Sequence, residues 1–215
     1  MLEGKFLSGG VALITGGGGE IGGAIAKAFA VEGARVAVVD VRAQAAEEIA
    51  MGIGKNGGEA LATEVDVSNP AQAERAVREA VKRFGKLTTL VNVAATVTPD
   101  GTVETLTLED WNNALAVNLT AVFLMCKFAV PEIRKAGGGT IVNIASQVGH
   151  IGDPLRAPYA TSKAALIQFS KCLAVDHARD NIRVNSISPG AIDTARVLRR
   201  FKNREEANAG GARWS

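Results

Sequence analysis

The chain has 215 residues, 47% of them hydrophobic and 21% charged, which suits one globular domain with a sizeable core. Lys and Arg number 24 against 22 Asp and Glu, and a net charge of +2 argues for neither a nucleic-acid nor an acidic-lipid partner. The first ten residues hold no apolar core of the signal-peptide kind, and Ala121–Val130, broken by Lys127, is too short to span a bilayer. These features predict a cytoplasmic protein with no membrane partner. Cys126 and Cys172 are isolated in helical patterns and read as buried packing residues. His150 and His177 lack ligand spacing, so no metal site is expected.

Apolar runs alternate with amphipathic stretches along the whole chain. Strands are predicted at Val11–Thr15, Arg35–Val39, Glu59–Val65, Leu87–Val93, Gly139–Ala145 and Ile182–Ile187. Helices are predicted at Ile21–Glu32, Ala43–Gly52, Pro70–Phe84, Leu108–Lys135 and Ala157–Arg179. Ser68-Asn69-Pro70 is a helix start, with proline early in the helix. Such alternation implies an α/β doubly wound parallel sheet, a three-layer α/β/α Rossmann arrangement. Residues 1–215 read as a single dinucleotide-binding and catalytic domain. In the strand order 3-2-1-4-5-6, ligands bind beyond the strand C-termini. Thr15, Asp40, Asp66, Asn92 and Ser146 all fall at or just past predicted strand ends.

Two stretches carry chemistry. In the first, Val11-Ala-Leu-Ile-Thr15 runs into Gly16-Gly17-Gly18-Gly19-Glu20-Ile21-Gly22-Gly23 and leaves as a helical pattern. Glycines let a backbone approach a pyrophosphate, whose charge then meets the amides of a helix N-terminus. A flexible glycine turn is the bland alternative. Asp40, ending the second strand, can accept bonds from both adenosine ribose hydroxyls and repel a 2′-phosphate, which selects NAD over NADP. It could instead cap the helix that follows, and Arg42 two residues on could reach a 2′-phosphate.

The second stretch is Tyr159-Ala-Thr-Ser-Lys163, preceded by Ser146. A tyrosine and a lysine four apart share one helix face. When C–H breaks as hydride, the hydroxyl proton of the alcohol must also be removed. A free phenol, with a pKa of about 10, is a poor base near neutrality, and a neighbouring ammonium favours the phenolate. Alone, such a pair is more often a half-buried tyrosine beside a solvated lysine. Gln147, Val148, His150, Ile151, Leu155 and Arg156 are expected to line or border the substrate pocket, where Arg156 could meet an anionic group or stand as a solvated surface residue.

From about Leu7 to Thr194 the chain resembles the short-chain dehydrogenase/reductase family. Thr15-Gly16-x3-Glu20-Ile21-Gly22 is similar to its Thr-Gly-x3-Gly-x-Gly loop, with Glu20 at the middle glycine, and the resemblance implies cofactor contacts from Gly16, Gly19, Glu20, Ile21 and Gly22. The Glu20 side chain is then expected to point to solvent. Asp66-Val67 resembles the adenine-contacting pair, and Asn92-Val93-Ala94-Ala95 resembles Asn-Asn-Ala-Gly, implying contacts from Asn92 and Ala94. Pro189, Gly190, Ile192 and Thr194 resemble the cofactor-binding segment after the sixth strand. Asn118, Ser146, Tyr159 and Lys163 resemble the family's catalytic four. The resemblance implies that Ser146 holds the substrate oxygen, that Tyr159 exchanges the proton, and that Lys163 also binds the nicotinamide ribose. For Asn118 it implies a backbone water site; a plain tie between helix and sheet is the other account.

The expected activity is an NAD-dependent oxidoreductase interconverting a small secondary alcohol and a ketone. The alternatives are a cofactor-binding regulator without turnover and an inactive fragment. The family suggests a homo-dimer or homo-tetramer through helices Leu108–Lys135 and Ala157–Arg179. Twenty-one residues follow Thr194, where family members continue with a lid, a helix and a seventh strand. Ala195–Glu206 is expected to form one short lid helix, and Asn208–Ser215 shows no strand alternation. Six strands and a loosely packed tail are therefore expected.

Overall fold

The computed structural model describes residues 5–194. The strands are β1 (Val11–Thr15), β2 (Arg35–Asp40), β3 (Ala60–Glu64), β4 (Thr89–Asn92), β5 (Gly139–Ile144) and β6 (Ile182–Ile187). The helices are α1 (Glu20–Val31), α2 (Ala43–Lys55), α3 (Pro70–Phe84), α4 (Leu108–Leu115), α5 (Ala121–Lys135) and α6 (Ala157–Asp176). The strands form one six-stranded sheet in the order β3-β2-β1-β4-β5-β6, every neighbouring pair parallel. This is the doubly wound Rossmann fold that the alternation of elements implied. The expected lid helix at 195–206 and the tail at 208–215 lie outside the described residues.

Strands buried on both faces read as unbroken apolar runs, and β1 is buried at all five positions. Val11 and Leu13 point with Ala37, Val39, Leu90 and Ile141 into a core shared with α3, α5 and α6. Ile14, Val36, Val38 and Val91 point the other way, onto Ala26 of α1 and Ala46 and Ile53 of α2. Only β6 alternates, with Ile182 and Val184 buried and Arg183 and Asn185 exposed. Its second face carries no helix from the described residues.

Helix ends follow local chemistry. Asn69 caps α3 by accepting from the Gln72 amide at 3.1 Å, Pro70 opens the helix, and Gly85 closes it in a left-handed conformation. Thr107 and Asp110 form a reciprocal capping box on α4.

The predicted helix Leu108–Lys135 is continuous but not uniform, because Ala116–Thr120 forms a π-helical turn between α4 and α5. Counted as one helix of 28 residues it is long and apolar enough to cross a membrane by length and composition only, a test that the core helix of a soluble protein also passes. Half of its most apolar window is buried inside the protein. Leu124, Met125, Ala129 and Ile133 pack into the core over the sheet.

Cys126 is buried, and burial pushes its thiol up to about 12, opposed by a hydrogen bond from Asn92. Cys172 is exposed, contrary to its expected burial. Its position on α6 faces away from the sheet.

Behind the sheet, Asp180 accepts from Arg134 at 2.8 Å and pairs with His177 Nδ1 at 2.8 Å, tying the end of α5 to the turn before β6. Arg134 first, then His177, hold the Asp180 carboxyl at about 2, below its ordinary 3.8. A depressed carboxyl contributes stability that is complete above its unfolded pKa and lost as pH falls through the folded one. Asp180→Asn should therefore remove part of the stability loss seen between about pH 4 and pH 2. Urea midpoints of parent and variant across that window test this, and parallel acid limbs would refute it.

Candidate active site

The C-terminal ends of the strands open into a cleft of about 1070 Å³. Its floor is built first by the glycine loop. Gly16 takes φ +63°, a conformation costly for any residue with a Cβ. A Cβ there would also stand 2.9 Å from the Ala94 backbone, so the loop passes β4 only as glycine. Thr15 Oγ1 fixes that crossing by accepting from the Val93 and Ala94 amides at 3.1 and 3.2 Å. Gly19 caps α1 without a side-chain bond, and a Cβ on it would meet only the Gly16 carbonyl, at 3.3 Å. Ile21 and Gly22 line the cleft in the first turn of α1, where helix amides have no acceptor of their own. This cradle fits a diphosphate. Glu20 is exposed at the first position of α1, as expected for its carboxylate.

Asp40 is buried at the end of β2 and lines the cleft. Its Oδ2 accepts from the Gly18 amide at 3.0 Å, and its Oδ1 from the Arg42 amide at 3.0 Å and Arg42 Nε at 3.3 Å. It caps no helix; Arg42 occupies the N-cap of α2 without a side-chain bond. Asp40 thus braces the glycine loop and pairs with Arg42 through Nε. Asp66 sits at the next strand end, accepting from the Ser68 amide and hydroxyl at 2.9 and 2.6 Å. Val67 lines the cleft beside it.

The other half of the cleft is framed by β5, α6 and the segment after β6. Ser146 follows β5, accepts from the Val148 amide at 3.4 Å, and lines the cleft. Lys163 is only 3% exposed, and its Nζ donates to the Ile144 carbonyl at 2.7 Å. That bond ties α6 to the end of β5. Tyr159, one turn earlier, lines the same cleft with the Lys163 ammonium 5.8 Å from its ring centre. Pro189, Gly190, Ile192 and Thr194 form the opposite wall.

Among the catalytic and cofactor-binding candidates named from sequence, Asn92 and Asn118 do not line the cleft. Asn92 is buried beneath it, donating to Asn143 Oδ1 at 2.8 Å and Cys126 Sγ at 3.7 Å. Asn143 continues the chain to Ser170 at 2.9 Å. Asn118 is fully buried in the π-helical turn. Its Oδ1 accepts from the Thr96 amide at 2.8 Å, and its Nδ2 donates to Ser162 Oγ at 3.2 Å. The side chain is a tie between the loop after β4 and α6.

The expected pocket border needs correction. Of Gln147, Val148, His150, Ile151, Leu155 and Arg156, Arg156 lines the cleft and Gln147 borders it, its Oε1 3.1 Å from where a Cβ on Gly190 would stand. Val148 is buried, His150 bonds Ser188 at 3.1 Å, and the Gln147 amide donates to the Pro189 carbonyl at 3.0 Å. Ile151 and Leu155 are exposed. Nor is Arg156 a solvated surface residue, because its side chain is 14% exposed and paired with Asp153 at 3.0 Å. In place of that border the loop after β4 supplies Thr96, Thr98 and Asp100, and α4 supplies Asn113. No pattern in those stretches announced them; they reach the cleft because the loop folds back, with Gly101 bridged to Arg156.

A parallel sheet with a glycine cradle, a buried acid at the end of β2 and a Tyr–Lys pair on one cleft defines a nucleotide-cofactor-type α/β protein. The chain belongs to the short chain dehydrogenase family, whose profile matches residues 10–205. It is 43% identical over 188 residues to 2,5-dichloro-2,5-cyclohexadiene-1,4-diol dehydrogenase of Sphingobium indicum, covering 87% of this chain and 75% of that protein. It is 39% identical over 188 residues to D-threitol dehydrogenase of Mycolicibacterium smegmatis, covering 87% of this chain and 72% of that one. A crystal structure of NAD+-bound xylitol dehydrogenase superposes with a TM-score of 0.83 at 35% identity, covering 86% and 71% of the two chains. Oxidoreductase chemistry follows from that membership.

A Cβ on Gly22 would fall inside van der Waals contact of the Gly16 carbonyl oxygen. Gly22→Ala should therefore lose cofactor binding and about 1–3 kcal/mol of stability. Calorimetric titration and thermal unfolding read both. Parent-like cofactor affinity in a folded variant would show that the loop tolerates widening.

Proposed function

We propose that this protein is an NAD-dependent dehydrogenase that interconverts a small secondary alcohol and a ketone, with Tyr159 as general acid/base. The observation that carries this reading is the sharing of one cleft by Ser146, Tyr159, Lys163 and the glycine cradle. A bound nicotinamide dinucleotide supplies the hydride acceptor or donor. Gly16, Gly19, Glu20, Ile21 and Gly22 hold its diphosphate, Asp40 its adenosine ribose, and Asp66, Val67, Asn92 and Ala94 the adenine side and the strand edge beneath it. Pro189, Gly190, Ile192 and Thr194 close over its nicotinamide half.

Ser146 positions the alcohol oxygen, and Tyr159 takes the hydroxyl proton as the carbinol C–H bond breaks. In the reverse direction Tyr159 returns that proton to the carbonyl oxygen. The Lys163 ammonium favours the phenolate and also orients the ribose. Asn118 keeps the π-helical turn in place, and its backbone borders a water path from Lys163 to solvent. The relatives named above are dehydrogenases of a cyclic diol and of polyols, which supports a small hydroxylated substrate. The polar groups of Thr96, Thr98 and Asn113 on the cleft suit one.

Residues 1–215 act as one domain in a cytoplasmic enzyme. It assembles as a homo-dimer or homo-tetramer through the outward faces of α4–α5 and α6. Leu108, Phe123 and Val175 are exposed there, and Phe123 packs edge-on against Phe169 with ring centres 6.4 Å apart. A regulator without turnover would have no use for Tyr159 as a base.

Tyr159→Phe should lower turnover by about 100- to 10,000-fold while leaving NAD affinity largely intact. Lys163→Ala should lose both, and Ser146→Ala should reduce kcat more than cofactor binding. NADH absorbance against a panel of polyols, cyclic alcohols and their ketones provides the assay, and a Tyr159→Phe enzyme with parent-like kcat would overturn the assignment.

Asp40→Ala should narrow the preference for NAD over NADP, read as the ratio of kcat/KM for the two cofactors. A parent enzyme that already uses NADPH better would show that Arg42 outweighs Asp40.

A further inference from the structure

The N-terminus of α6 breaks two local rules at one residue. An N-cap position favours Ser, Thr, Asp or Asn, whose oxygen accepts from the first-turn amides. It also favours negative over positive charge, because the helix dipole is positive there. The N-cap of α6 is Arg156, which makes no capping bond. Local rules broken without evident gain mark functional positions.

The backbone around Arg156 is held with some strain. Leu155 takes φ +63°, unusual for a residue with a branched side chain. Its carbonyl accepts from the Gly101 amide at 2.9 Å, and Gly101 and Arg156 form an isolated parallel bridge. The loop after β4 thereby fixes where the Arg156 side chain begins. Asp153 fixes its far end, accepting from Arg156 at 3.0 Å, and both side chains are largely buried. Between these anchors the guanidinium carbon stands 4.3 Å from the Tyr159 ring centre.

We infer that Arg156 is a positioning residue for Tyr159, a second cation that holds the ring and favours its phenolate. The inference rests on Tyr159 being the general base. A cation within about 6 Å of an aromatic centre is attracted to the ring face, arginine more often than lysine. The attraction grows when the ring gains a full negative charge, so the contact favours the ionised base over the neutral phenol. Lys163 acts from one turn further along the helix at 5.8 Å, and Arg156 from the turn before at 4.3 Å. The ion pair with Asp153 through Nη1 argues against the other use of a cleft arginine, capture of an anionic substrate, because the neighbouring carboxylate repels a second anion.

Among the described residues, few charged or titratable groups surround the ring. Lys163 and Arg156 come from α6 and its cap, and Asp153 from the loop before it. Asp100 of the loop after β4 lines the same cleft, while His150 of the turn after β5 is engaged with Ser188. Asp40, Asp66 and Glu20 line the half of the cleft built by the glycine loop and the ends of β2 and β3.

Tyr159 is the one tyrosine in the chain, so phenolate absorbance reports it alone. The experiment is an ultraviolet pH titration of the full chain, paired with the pH profile of alcohol oxidation. Arg156→Met keeps an apolar stem over the ring and removes the charge; it should move the absorbance step and the rising limb of kcat/KM upward by about one pH unit. Arg156→Lys should keep both near the parent positions. Arg156→Met with step and limb unmoved would overturn the inference and leave Arg156 as a staple of the loop. Should that variant fail to fold, Asp153→Asn gives the same test with reversed sign. Loss of the neutralising carboxylate should lower the step, and an unmoved step would overturn the inference. Tyr159→Phe separates the two readings: it abolishes the absorbance step, and if it keeps turnover the general-base reading falls. The titration of Arg156→Met still judges the contact.

Discussion

A buried ammonium organises this molecule. Lys163 is almost wholly removed from water, and an isolated charge in that position is unfavourable unless polar atoms surround it. The Ile144 carbonyl, at the last residue of β5, is one such atom. A strand end must therefore stop at one place relative to one turn of α6, and the parallel register of β5 with β4 and β6 carries that position across the sheet. Tyr159 stands one turn earlier on the same helix and inherits its placement. Ser146, two residues beyond Ile144, inherits its own from the strand.

The glycine loop is placed by an independent device. Thr15 bonds two amides beyond β4, and Gly16 slips past the backbone that those amides belong to. Asp40 then draws Gly18 toward β2. The two halves of the cleft are thus anchored to different strand pairs of one sheet. What makes them a single site is the rigidity of the sheet between them, reinforced by the buried chain Cys126–Asn92–Asn143–Ser170 that crosses under the cleft from α5 to α6.

Much of this was legible in the residues, for identifiable reasons. β1, β6 and α3 have the bounds predicted for them, since each is bracketed by strong chemistry: glycines after Thr15, a left-handed Asn181 before Ile182, and Asn69-Pro70 with Gly85 around α3. The glycine and Tyr–Lys motifs were readable because their spacing is local. Side-chain direction was less so. Asn92 sits at the expected strand end but turns beneath the cleft, as its partner on β5 required. The pocket border was misread for a related reason. Residues following β5 look adjacent to Ser146 in sequence, yet the short turn Gln147–Gly149 tucks Val148 into the interior and sends Ile151 outward. Thr96, Thr98 and Asp100 take those places through the Gly101–Arg156 bridge, a contact between segments more than fifty residues apart. The π-helical turn was likewise invisible, because Leu115-Ala-Val-Asn118-Leu-Thr has an ordinary helical pattern.

The two cysteines, so alike in sequence setting, end in opposite chemical situations. One thiol is enclosed by the core and resists ionisation, so electrophiles and oxidants reach it only when the fold opens. The other is exposed on α6, thirteen residues beyond Tyr159. The folded chain therefore exposes a single thiol, and an alkylating dye will mark one known point on the helix that carries the Tyr–Lys pair. The second sulfur becomes a clock: its rate of labelling counts openings of the packing between α5 and the sheet.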